Sequence, residues 1–164
     1  MSRRLVPVLV LAVALTSACT APEPEHDHQP AVTFEEPWAS TGHMGMAAVF
    51  GTFVNDGHHD AHIVSGTSPV AGRVELHEVV PDASGTKTMQ PKAGGITVPA
   101  DGSHQLVPGG DHLMLMDLKE TLQPGTDVSV TVTFDDGSTL PITAQVRDFA
   151  GGNEEYRPGG HDHG

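Results

Sequence analysis

Residues 128–146 read VSVTVTFDDGSTLPITAQV, and this stretch decides the fold class. In its first part, serine and threonine separate four apolar residues, namely Val128, Val130, Val132 and Phe134. Side chains on a β-strand point alternately to opposite faces, so this pattern is typical of a strand with one buried face. The turn-forming residues DDGS follow, and the alternation then resumes. We therefore predict a β-hairpin here.

The surrounding sequence, from about residue 32 to residue 149, repeats this character. Short apolar runs are broken by glycine, proline and aspartate, with almost no helical period. Further strands are predicted over residues 32–38, 46–54, 61–66, 73–80, 95–99, 104–107 and 112–118. Seven to nine short strands at this spacing indicate an all-β sandwich or small barrel.

The two ends of the chain differ from this core in composition. Residues 1–18 combine Arg3 and Arg4 with an apolar run and small residues, which is the layout of a secretory signal peptide. The apolar run is shorter than the roughly 20 residues that span a bilayer. Residues 19–31 and 150–164 are polar and rich in proline, glycine or charge, so we expect a flexible tether and a disordered tail. Residues 32–149 then form one domain.

Cys19 is the only cysteine, and it follows LTSA in a sequence that resembles the lipobox of bacterial lipoproteins. The match is imperfect, because Thr16 occupies the place where the lipobox usually has leucine. Lipidation of Cys19 would anchor an exported protein to the outer face of the cell membrane or in the periplasm. The alternative is an ordinary signal peptide that is cleaved nearby.

The informative segment for chemistry is VPGGDHLMLMDL, residues 107–118. If a strand begins at residue 112, then His112, Met114 and Met116 share one face. Same-face neighbours lie about 7 Å apart, close enough for an imidazole nitrogen and a thioether sulfur to converge on one ion. The alternative is that these methionines only fill the core, and we favour it for Met116.

A second candidate pair precedes this segment: His77, in the predicted strand VELH, and Met89, after a loop over residues 81–87. Two histidines and two methionines suit Cu(I), because thioether sulfur is a soft ligand and imidazole also accepts this ion. Calcium and magnesium prefer oxygen, and zinc usually takes thiolates, imidazoles or carboxylates. Spacing alone does not distinguish a copper site from core packing.

The same residues carry a family resemblance. VELHEVV, Met89, ITVPADG, VPGGDHLMLMDL and VSVTVTFDDG occur in this order and resemble the periplasmic copper chaperone PCu(A)C family over residues 32–148. The ligands of the family correspond to His77, Met89, His112 and Met114. The intervals on both sides of Met89 are each one residue longer than the family pattern, so Met89 is the least secure of the four.

The resemblance implies a cupredoxin-like Greek-key domain that binds one Cu(I) and delivers it to a membrane-bound acceptor. The acceptor would be the CuA site of cytochrome c oxidase subunit II or another copper protein. The alternative is a surface lipoprotein that buffers or scavenges copper for copper tolerance. A third possibility, an adhesion module without metal, predicts no Cu(I) binding.

Other functions are disfavoured by composition. A blue-copper electron carrier needs a cysteine ligand, and Cys19 lies outside the domain. No catalytic triad or carboxylate pair is recognisable, so we do not expect an enzyme. The formal net charge of −13 argues against nucleic acid as a partner. We expect a monomer.

Further histidines and methionines could form secondary metal sites. The tether and the tail each contain HDH, and short His-containing tracts can bind metal, here Cu(II); the alternative is that they are simply solvated. The segment from residue 43 to residue 46, HMGM, could hold copper or could be ordinary loop surface. The possible secondary ligands are His26, His28, His43, Met44, Met46, Met116, His161 and His163.

Overall fold

The computed structural model describes residues 31–43, 45–149, 151 and 155–157. These residues form β-strands and contain no helix. The strands are β1 (Val32–Ser40), β2 (Ala47–Asn55), β3 (Ala61–Thr67), β4 (Arg73–Pro81), β5 (Lys87–Pro91), β6 (Ile96–Val98), β7 (Gly102–Leu106), β8 (His112–Met116), β9 (Asp127–Phe134), β10 (Thr139–Arg147) and β11 (Glu155–Tyr156).

Seven of these strands close a barrel, in the order β4-β8-β2-β1-β10-β9-β3. Gly66 of β3 pairs with Val74 of β4, and this pairing closes the ring. Neighbours in the ring are antiparallel except β1 and β10, which are parallel. The other strands extend the ring: β6 pairs with β3, β7 with β2, β5 with β4, and β11 with β5. The predicted all-β class is confirmed, and of the two architectures expected, sandwich or barrel, the structure is a barrel.

The alternating side chains of the strands fill the barrel. All four apolar residues of the β9 pattern are buried, as the alternation predicted. The largest completely buried apolar side chains include Phe53, Ile63, Ile96, Leu106, Leu113 and Leu115. Aliphatic residues therefore provide most of the core.

Each of the nine predicted strands is present, and the structure adds β5 and β11. The strand predicted over residues 112–118 ends earlier, at Met116, because Asp117 has a positive φ of 54°. Strand β11 lies within residues 150–164, where we expected a disordered tail. Its Tyr156 pairs with Met89 of β5, and Arg157 N donates a hydrogen bond to Met89 O at 2.9 Å.

Several predictions fall on residues that the structure does not describe. These are the signal peptide over residues 1–18, Cys19, all but the last residue of the tether over residues 19–31, and most of the tail. In the described part of the chain, no helix is long and apolar enough to cross a membrane.

Two adjacent glycines lie in the connection between β5 and β6, and only one of them is packed closely against another strand. Gly94 and Gly95 both have positive φ, 85° and 80°. A Cβ on Gly95 would lie 2.2 Å from the carbonyl oxygen of Ile63, whereas a Cβ on Gly94 would meet no atom within 4 Å. We expect Gly94→Ala to cost only the left-handed penalty, about 1–2 kcal/mol.

Gly95→Ala should lower the free energy of unfolding by clearly more than Gly94→Ala, because the backbone of β3 must also shift. Urea unfolding of both variants measures the difference, provided that the m-values agree. Equal losses of stability would show that the close approach to Ile63 is not a constraint.

Candidate metal centre

The pairing of β4 with β8 brings two predicted ligands together. His77 lies directly opposite His112 in this antiparallel pair. Their ring centroids are 5.5 Å apart, with the ring planes at 69°. Both residues are buried, with relative exposures of 0% for His77 and 4% for His112. Buried polar groups normally have hydrogen-bond partners, so two buried imidazoles at this separation are explained either by hydrogen bonding or by a function.

The two predicted methionine ligands also share one place. Met89, Met114 and Met116 form a buried cluster outside the main core, which we call the methionine cluster. Partly buried neighbours pack against it, namely Met46, Ala48, Val79 and Tyr156. Met89 reaches the cluster because β5 pairs with β4, opposite Val79. The sequence analysis had left Met89 after a loop rather than on a strand.

A cavity of about 530 Å³ opens beside this cluster. Met89, His112 and Met114 line it, together with Phe50 and Phe149. Its wall also includes residues from the segment before β2, among them His43 and Met46. His77 is not part of the wall, and neither is Met116. Three of the four predicted ligands therefore face one cavity, and His77 is buried next to it.

The hydrogen bond of His112 defines its tautomer. Nδ1 of His112 lies 2.9 Å from the carbonyl oxygen of Gly110. A carbonyl only accepts, so Nδ1 carries the proton and the neutral ring has its lone pair on Nε2. A lone pair on an imidazole that lines the cavity is a suitable donor for a metal ion.

His77 is oriented by the carboxylate of Glu75, which lies two residues earlier on the same face of β4. Nε2 of His77 is 2.8 Å from Oε2 of Glu75. Burial raises the pKa of Glu75, but hydrogen bonds from His77 and Arg73 outweigh this effect and the net pKa is lowered. Glu75 is therefore ionised near neutral pH and accepts, so Nε2 of His77 is the donor.

The lone pair of neutral His77 is then on Nδ1. Burial lowers the pKa of His77, although the contact with Glu75 opposes the shift, so the neutral ring is favoured. Within the described residues, Nδ1 of His77 is buried and has no hydrogen-bond partner. A buried acceptor without a partner costs about 1–3 kcal/mol. A metal ion bound at Nδ1 would remove this cost.

Two further residues support the Glu75 carboxylate. Arg73 Nε donates to Oε1 at 2.6 Å, and the Tyr156 hydroxyl donates to Oε2 at 3.4 Å. Burial, together with the nearby Glu75 charge, raises the pKa of Tyr156, which keeps the hydroxyl protonated. The Tyr156 ring also stacks on His77, with centroids 5.4 Å apart and planes at 4°.

The sequence analysis missed both Glu75 and Tyr156. The spacing of Glu75 and His77 on a predicted strand would have placed the carboxylate beside the imidazole. Nothing local could have indicated Tyr156, which lies in a segment without periodicity. The arrangement resembles the common pattern in which a carboxylate holds a ligand histidine in one tautomer.

The donor atoms favour a soft metal ion. Among the described residues, no group of three or more His, Cys, Asp or Glu is placed to hold a metal. The available donors are imidazole nitrogens and thioether sulfurs, a combination that suits Cu(I) better than zinc, calcium or magnesium. The residues present therefore fit copper.

The possible secondary ligands are distributed unevenly. His43 and Met46 line the cavity, and Met116 belongs to the methionine cluster without lining the cavity. The other residues lie outside the part of the chain that the structure describes, namely His26, His28, Met44, His161 and His163.

Comparisons with known proteins identify the family of the chain. Residues 32–146 match the family described as "Putative lipoprotein LpqE-like". The chain is 40% identical over 146 residues to "Putative lipoprotein Lxx21020" of Leifsonia xyli subsp. xyli (strain CTCB07), covering 89% of this chain and 86% of the relative.

Solved structures share the fold, including the following two. The copper-bound PCuAC domain from PmoF2 has a TM-score of 0.59 at 21% identity, over 73% of this chain and 94% of that domain. The Cu(I) form of DR1885 from Deinococcus radiodurans has a TM-score of 0.54 at 26% identity, over 76% of this chain and 85% of that one. The predicted cupredoxin-like fold is confirmed. The chain therefore belongs to the LpqE-like family, and with it to the PCu(A)C group whose motifs its sequence resembles.

Proposed function

We propose that the protein is an exported copper chaperone that binds one Cu(I) through His77, Met89, His112 and Met114. The observation that carries the proposal is the convergence of these residues. Two imidazoles face each other 5.5 Å apart, and two thioethers lie in the adjoining methionine cluster. The buried Nδ1 of His77, without a hydrogen-bond partner among the described residues, is a further reason to expect a ligand there.

The proposed role is carriage rather than catalysis. A chaperone must hold copper tightly enough to protect it and release it to an acceptor. Neutral thioethers bind Cu(I) less strongly than thiolates would, which favours release. Structural neighbours include a copper-bound PCuAC domain and the Cu(I) form of DR1885, and both support copper as the cargo.

We further propose that Cys19 is lipidated and that residues 19–31 tether the domain to the membrane. The relative from Leifsonia xyli is named as a lipoprotein, which supports an exported, anchored protein. Anchoring raises the effective concentration of the carrier near a membrane-bound acceptor without any new contact. The acceptor that we propose is the CuA site of cytochrome c oxidase subunit II. The histidines of the tether and the tail would gather Cu(II).

Replacing one thioether tests the ligand set. Met114→Leu should weaken Cu(I) binding by more than roughly 100-fold. This exceeds the loss of affinity that usually follows mutation of a residue that only hydrogen-bonds to a metal ligand. Met116→Leu is the matched control, because Met116 lies in the same cluster and does not line the cavity. A competition titration against a Cu(I) chelator measures both. Equal effects would mean that Met114 is not the ligand.

Replacing Glu75 tests how His77 is oriented. Glu75→Gln should weaken Cu(I) binding about 10–100-fold, because an uncharged amide no longer holds His77 in one tautomer. Glu78→Gln is the control, since Glu78 is on the same strand but pairs with Lys92 at 2.9 Å. Nitrogen NMR of the imidazoles should show a changed His77 tautomer only in Glu75→Gln. An unchanged tautomer and unchanged affinity would contradict this role.

Transfer to an acceptor separates delivery from buffering. The Cu(I)-loaded protein is mixed with the apo form of a soluble fragment of cytochrome c oxidase subunit II, and the copper content of each is measured after separation. We expect copper to move to the fragment. Retention of copper at equilibrium would contradict delivery and favour the alternative, a lipoprotein that buffers copper at the cell surface.

A further inference from the structure

The segment before β2 carries an imidazole nitrogen and a thioether sulfur that the four-ligand proposal does not use. His43 and Met46 form an isolated antiparallel bridge, with His43 N donating to Met46 O at 2.7 Å and Met46 N donating to His43 O at 3.0 Å. Residues directly opposite in such a bridge have Cβ atoms about 4.5–5.5 Å apart and point to the same side. An imidazole and a thioether therefore lie next to each other.

The backbone holds this pair in place. Leu118 N donates to Gly45 O at 2.9 Å, which ties the turn to the chain that follows β8. Gly42 has a φ of 88°, and a Cβ there would lie 2.9 Å from Met46 O. The backbone next to the bridge therefore needs glycine at residue 42.

The pair also lies between solvent and the proposed copper ligands. His43 is exposed, whereas Met46 is half-buried and packs against the methionine cluster. Both residues line the same cavity as Met89, His112 and Met114. The cavity thus has donors that accept Cu(I) at its exposed side and at its buried side, with the thioether of Met46 next to the cluster.

We propose that His43 and Met46 form a second soft-metal site at the mouth of the cavity, through which Cu(I) enters and leaves the four-ligand site. This inference rests on the proposed function. Cu(I) can exchange its ligands one at a time, so that old and new ligands bind the ion together in the intermediate. The adjacent thioether and imidazole of Met46 and His43 would supply such ligands as the ion moves to or from the four-ligand site. The step involves no change in oxidation state; one set of neutral donor bonds replaces another.

The kinetic test uses the full chain with both changes, His43→Ala and Met46→Leu. Loading from a Cu(I) chelator and release to an excess of a stronger chelator are followed by stopped-flow absorbance. We expect both rates to fall about tenfold. The equilibrium dissociation constant should stay close to that of the wild type, because a site on the route changes both rates together.

The control carries His59→Ala, the same histidine change at a residue that does not line the cavity. Its rates should equal those of the wild type. Equal slowing in the control, or wild-type rates in the His43→Ala, Met46→Leu variant, would overturn the inference. So would a fall in affinity that accounts for faster release, because His43 and Met46 would then be ligands of the main site.

A binding measurement gives a second readout. In the wild type, a second equivalent of Cu(I) should shift the NMR signals of the His43 imidazole and the Met46 methyl group. In the single variant His43→Ala, the Met46 shift should weaken. A second equivalent that leaves both residues unshifted contradicts the site. A wild type that binds no Cu(I) at all would instead refute the proposed function, and the inference with it.

Discussion

Strand β8 is buried on both faces, and the arrangement of the molecule around the candidate site depends on this constraint. Leu113 and Leu115 point into the barrel, while His112, Met114 and Met116 are buried on the opposite side. A shift of the strand by one residue would exchange these two sets. It would place an imidazole and two thioethers in the aliphatic core, so the register with β4 is strongly determined. That register sets His77 opposite His112.

The polar groups around His77 follow from burial in the same way. A buried imidazole loses its hydrogen bonds to water, and the hydrogen bond to Glu75 replaces only part of them. Arg73, Glu75 and His77 occupy every second position of β4 and therefore share one face. A single strand thus supplies the cation, the carboxylate and the imidazole. Arg73 also bonds to Asp117, just beyond β8, and this contact joins the two strands outside their backbone hydrogen bonds. The nitrogen left over, Nδ1, is the one that copper could satisfy.

Much of the fold was predictable because strand alternation is a local property. The hairpin of β9 and β10, and the shared face of His112, Met114 and Met116, were read from spacing alone and agree with the structure. Strands β5 and β11 were not predicted. The residues of β5, KTMQP, do not alternate between apolar and polar, and β11 has only two residues, so neither shows a period. Both strands are held by pairing with a neighbour. Tyr156 was missed for this reason.

The order of residues along the chain was enough to define which side chains share a face, the all-β class and the soft chemistry of the donors. It could not define which strands lie side by side. That depends on long-range pairing, in which β8 takes β4 and β2 as neighbours and β5 brings Met89 to the cluster. Tertiary structure alone therefore decided that Tyr156 covers His77 and that His43 and Met46 share a cavity with His112. The physical reason is that pattern encodes the direction of a side chain, whereas proximity arises only when the barrel closes and buries both faces of β8.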